Sequence, residues 1–107
     1  ITTDHGTIQV NEDVKVVGDR NTSSNLRYKH GRNLNYKDKS VFSVARPEEA
    51  HLPKSNMSSS YIFAVERQYF VYPNNYNHFQ RFYKDTLQHG GVSLEEMLIP
   101  IVSLSPK

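Results

Sequence analysis

Two short runs at opposite ends of the chain, Asp4-His5-Gly6 and His89-Gly90-Gly91, each set metal-ligating side chains directly beside glycine. A fold that uses both must bring its first turn against one of its last. Adjacent side chains of a strand point to opposite faces, so Asp4 and His5 share one ion only where the chain leaves its extended path. Gly6 permits such a bend. A hard carboxylate oxygen with a neutral imidazole suits zinc or manganese. Taken alone, the tripeptide is also the ordinary pattern of a strand end followed by a polar turn.

The second run repeats the design and adds a helix start. Ser93 with Glu96 three residues later fits a capping box, and Leu94, Met97 and Leu98 supply an apolar helical face. The His89 imidazole is therefore expected just ahead of a fixed helix N-terminus. A surface histidine in a glycine turn carries the same letters.

Together these residues resemble a known family. Thr3-Asp4-His5-Gly6 is similar to the Asp-His-Gly metal motif of the alkaline phosphatase superfamily, and residues 89–97, His-Gly-Gly-Val-Ser-Leu-Glu-Glu-Met, resemble the closing motif of its PglZ-type members. The nearest likeness is to the C-terminal part of PorX-type response regulators of Bacteroidetes. Further matching segments are Leu26 to Leu34, Val71 to Tyr76 and Tyr83 to Gln88. The likeness runs over essentially all of residues 1–107, as the C-terminal portion of a PglZ-type domain.

At 107 residues the chain holds one domain or part of one, with a modest core. Its mean hydropathy, −0.67, predicts a largely polar surface or one that normally faces other protein. Thirteen basic residues against eleven acidic imply no general nucleic-acid-binding surface. The absence of cysteine removes disulfides and thiolate-ligated zinc, and fits a reducing, cytoplasmic compartment. No apolar run approaches a membrane span, and no signal peptide is visible. A ligand motif flush against the first residue, where fraying is expected, predicts a piece of a longer protein.

In chain order, Ile8 and Val10, a turn at Asn11-Glu12-Asp13, then Val14, Val16 and Val17 read as a hairpin. Residues 20–39 carry Arg20, Arg27, Lys29, Arg32, Lys37 and Lys39 against Asp38 alone, interleaved with Tyr28, His30 and Tyr36. Such a stretch suits phosphate oxygens and a stacked base or sugar, and equally a solvated loop. Residues 41–45 read as a buried strand, and Pro47 with Glu48 and Glu49 as a short helical turn. His51 and His78 read as solvent-facing. Residues 61–65 and 68–72 are two strong strands joined at Glu66-Arg67, a tight hairpin length, with aromatics for the core. Tyr76, Phe79, Phe82 and Tyr83 recur at helical or mixed spacing, more as packed core than as a nucleotide-stacking surface. A short strand is expected over 101–104. No serine lies in a nucleophile elbow.

The resemblance implies an α/β architecture, the C-terminal fragment of an alkaline-phosphatase-like layered fold, strand-rich with two hairpins and a few short helices. It implies Asp4 and His5 on one zinc ion and His89 on a second, with Arg27, Lys29 and Arg32 as substrate contacts. Two metal ions suit in-line displacement at phosphorus, and the implied substrates are phosphate esters, above all oligonucleotide-type phosphodiesters. The implied parent is a two-component response regulator with an upstream receiver domain and a sensor kinase as partner. The family's nucleophile and remaining ligands find no match here, and Thr2 and Thr3 do not occupy the nucleophile's place. The chain by itself is therefore expected to be inactive and to hold zinc weakly or not at all. The alternative is a regulatory or dimerising module with a vestigial metal motif; a homodimer through uncovered strand edges fits either. A basic nucleic-acid-binding domain is a third possibility, marked by steep salt dependence.

Overall fold

The computed structural model describes residues 1–37 and 39–107; Asp38, the one acid in the basic stretch, lies outside them. Eight strands form three small sheets: β1 Ile8–Gln9, β2 Glu12–Val17, β3 Tyr28–Gly31, β4 Asn35–Tyr36, β5 Phe42–Val44, β6 Ser60–Phe63, β7 Gln68–Val71 and β8 Leu87–Gln88. Two short helices, α1 Tyr76–Tyr83 and α2 Leu94–Met97, and a 3-10 turn at Pro47–Ala50 complete the mixed α/β, strand-rich fold.

The first expected hairpin is absent, because residues 8–17 run on instead of turning back. β1 pairs antiparallel with β8, and β2 pairs parallel with β7 and antiparallel with β4. Between them the N–H groups of Asn11 and Glu12 both donate to the Arg67 carbonyl (2.9 and 3.1 Å), so the supposed turn residues already belong to the next pairing. Val14 and Val16 alternate inward along β2 as their period-two pattern requires.

The second expected hairpin is also absent. Glu66-Arg67 does turn the chain, with Glu66 at φ 47°. The strands on either side enter different sheets, however: β6 lies between β3 and β5, while β7 joins β2. All four residues of β7 are buried, as suits a parallel strand covered on both faces. Leu26 and Arg27 splice the two sheets, their carbonyls accepting from Phe70 and Ala64 at 2.8 Å each.

Val14, Val16, Val41, Ile62, Ala64 and Phe70 form one apolar cluster, and Val10, Tyr69 and Val71 a second. The expected core strand at 41–45 is instead an edge: Val41 is buried but Phe42 is 53% exposed. Helix α1 holds the second cluster through Tyr76 and Tyr83, two turns apart, and leaves Phe82 in solvent. The expected strand at 101–104 is reduced to a single bridge between Ile101 and Thr2. The radius of gyration is 15.8 Å, against about 13 Å for a compact chain of this length. Much apolar surface is correspondingly open, notably Leu94, Leu98, Ile101 and Leu104. No helix among the described residues is long and apolar enough to cross a membrane.

Phe70 has no exposed surface and Phe42 is half open, so the two test where stability resides. Phe70→Ala is expected to cost about 3–5 kcal/mol in urea unfolding and Phe42→Ala under about 1 kcal/mol.

Candidate metal centre

The first residues are held along the C-terminal segment. The Ile1 ammonium donates to the Val102 carbonyl (2.7 Å), and the Val102 N–H donates back to Ile1 (2.8 Å). Gly6 then donates its N–H to the backbone carbonyl of Glu96 at 2.9 Å. A Cβ at Gly6 would stand 1.8 Å from the Glu95 carbonyl oxygen. Glycine is needed here because α2 comes too close for any side chain, rather than for a left-handed bend.

The second motif hangs on the same residue by its side chain. The Glu96 carboxylate accepts from the N–H of Gly91 (2.9 Å) and from the N–H and hydroxyl of Ser93 (3.1 and 2.6 Å), which realises the capping-box pattern. It also takes both prongs of Arg27, Nε and Nη2, at 2.8 Å each. The remaining Arg27 donor, Nη1, reaches the Gln68 carbonyl. Both side chains of this bidentate pair are buried. A Cβ at Gly91 would sit within 2.7–2.8 Å of Arg27 and Glu96 side-chain atoms, so the loop rests directly on the pair.

Burial alone would raise the Glu96 pKa. Hydrogen bonds from Arg27, Ser93 and the Gly91 N–H, with the Arg27 charge, outweigh it and hold the carboxyl at about 2. The sequence pattern marks Glu96 as a helix cap, and no local signal in it points to Arg27.

Fixed in this way, the two motifs meet. The imidazoles of His5 and His89 stack with centroids 3.7 Å apart and planes inclined by 11°. The His5 Nδ1 lies 2.8 Å from the Gly6 carbonyl. A carbonyl only accepts, so Nδ1 carries the proton and Nε2 of the neutral ring keeps its lone pair for a proton or metal. Asp4 sits in a bend, and its Oδ1 is 3.6 Å from that Nε2. Two donors on one tetrahedral zinc stand about 3.4 Å apart, so Asp4 and His5 fit as neighbouring ligands of one ion. Among the described residues, no group of three or more His, Cys, Asp or Glu side chains converges as a metal site.

Thr2 and Thr3 direct their hydroxyls to the carbonyls of Pro100 (2.8 Å) and His5 (3.1 Å). Of the three basic residues expected at substrate, Arg27 is fully buried beneath the His89 loop, and Lys29 is 1% exposed and turned into the interior. Arg32 is on the surface, 3.1 Å from Asp19.

Residues 1–104 match the family model described as the BREX system PglZ alkaline phosphatase-like domain. No curated protein matches the chain.

Glu96→Gln leaves the Arg27 charge buried without its counter-ion, and at pH 7 should destabilise the chain on the order of 3 kcal/mol. A folded pKa depressed from 4.5 to about 2 contributes stability that is complete above about 4.5 and lost as pH falls toward 2. Unfolding curves of wild type and variant should therefore converge across that window. A gap that persists undiminished at pH 2 would refute the assignment.

Proposed function

Since the chain belongs to the PglZ alkaline phosphatase-like domain family, we propose that it supplies half of a two-metal centre for hydrolysing phosphate esters, with zinc as the metal. Asp4 and His5 serve one ion and His89 the other. The observation that carries this reading is the histidine stack. Imidazole lone pairs lie in the ring plane, so near-parallel rings 3.7 Å apart direct their nitrogens to separate ions, not to a shared one. That separation is close to the ~3.5–4 Å spacing of two-metal phosphoryl-transfer sites. Bound ions there would polarise a phosphoryl oxygen and activate a nucleophile. The chain's own part is to orient the ligands: Gly6 fixes the His5 tautomer, while Glu96 and Arg27 fix the His89 loop. The nucleophile and further ligands come from residues outside 1–107.

A phosphodiester of oligonucleotide type is the favoured substrate class. In register across the sheet of β3, β6 and β5, Tyr28, Phe63 and Phe42 lie side by side with ring centroids 6.2–6.3 Å apart. This row borders a cavity of about 300 Å³ that Gly90 also lines. Aromatic faces of this kind stack unpaired bases, and this one adjoins the His89 loop. Arg32, at the end of β3, is the candidate phosphate contact. The likeness to PorX-type regulators extends the proposal to a cytoplasmic response regulator whose receiver domain answers to a sensor kinase.

The second reading, a regulatory or dimerising module with a vestigial metal motif, draws on the exposed apolar side chains of Leu94, Leu98, Ile101 and Leu104. Light scattering combined with a phosphodiesterase assay of the longer parent chain separates the two: a dimeric parent without hydrolysis favours this module.

In the longer parent chain, Asp4→Ala should lower phosphodiester hydrolysis at least about a hundredfold and reduce zinc content. Full activity and undiminished zinc in that variant would defeat the proposal. Residues 1–107 alone should show no tight one-to-one zinc binding by calorimetry, as they supply too few ligands.

A further inference from the structure

On the face of β3 opposite Tyr28 lies a cavity of about 230 Å³, lined by Leu26, Lys29, Phe70, Tyr72, Phe79 and Tyr83 among others. Side chains alternate along a strand, so Lys29 points away from Tyr28 and from the Gly90 loop that Tyr28 touches. The cavity is thus separate from the histidine pair, and a ligand held in it is independent of phosphoryl transfer at that pair.

Lys29 is 1% exposed. Its Nζ donates to the Ser23 carbonyl at 3.1 Å and stands 4.3 Å from the centroid of the Tyr72 ring. An ammonium has three N–H groups, and these contacts engage the group without neutralising it. Among the described residues Lys29 has no carboxylate within ion-pair distance. A buried cation without a counter-ion is costly, and a nearly isosteric apolar side chain would fill the same space more favourably. Burial pushes its pKa down to about 8, which leaves it mostly charged at neutral pH.

The cavity's shape says what would complete the pair. An apolar cavity of about 150 Å³ accepts benzene, so this one has room for a single ring and one small polar group. Phe70, Tyr72, Phe79 and Tyr83 give it aromatic walls, beside the polar Ser24 and Asn74, and such walls favour a flat ring. A neutral ligand would leave the ammonium unpaired, and a cation would be repelled.

We propose that this cavity is a binding site for a single-ring aromatic oxyanion, whose charged oxygens pair with Lys29 and whose ring packs among Phe70, Tyr72 and Phe79. Phe79, on α1, lines the cavity and is 37% exposed.

The test titrates the 107-residue chain with benzoate, phenylphosphonate and benzyl alcohol, monitored by NMR and thermal unfolding. At least one anion should bind with Kd below about 1 mM and raise Tm, with the neutral alcohol at least about tenfold weaker. Preference for benzoate assigns a carboxylate ligand, and preference for phenylphosphonate a phosphate-type one. Lys29→Met should raise the Tm of the free protein and lose the anion at least about tenfold. Phe79→Ala, which leaves Lys29 in place, should weaken binding of the same anion. Failure of both anions to bind overturns the proposal. So does equal binding of the alcohol, or a lowered Tm in Lys29→Met, which would make the lysine structural.

Discussion

The buried ion pair between Arg27 and Glu96 governs the rest of the molecule because it ties the junction of two sheets to the C-terminal loop. Leu26 and Arg27 carry the backbone bonds that splice two sheets, and the Arg27 side chain reaches from there into the C-terminal loop. Glu96 then holds one ligand motif through its backbone and the other through its carboxylate. An exposed pair would contribute little. A buried pair with both prongs engaged and its remaining oxygens satisfied fixes geometry, whatever its net effect on stability.

Local chemistry was legible in the sequence where it depended on neighbours within a few residues. The capping box at Ser93, the turn at Pro47, the burial of Tyr69, Phe70 and Val71, and the tight turn at Glu66-Arg67 all follow from short-range rules. Pairing was not legible. Alternation identifies Ile8–Val10 and Val14–Val17 as extended, but it does not say that each takes a different distant partner. The two hairpins inferred from it dissolve into three sheets for that reason.

The site divides in the same way. Two glycine-flanked motifs were visible as ligand candidates, and the stacked histidines show them side by side. The basic stretch was harder to read, because charge pattern does not separate a cation that faces solvent from one that ties the interior. Arg27 is neutralised by an acid 69 positions away, whereas Lys29, two residues on, meets a carbonyl and a ring but no carboxylate among the described residues. No window of sequence distinguishes these environments.

The Glu96 tie also bears on when the centre comes into being. Gly6 waits for α2, and the histidine stack waits for the loop that α2 secures. On a ribosome, His5 emerges well before Glu96 and lacks this tie until residue 96 has been added. Closing so long a loop is entropically slow. The ligand pair thus forms only once Glu96 is in place: a nascent chain that stops short of Glu96 carries the first half of the motif without the residue that secures it.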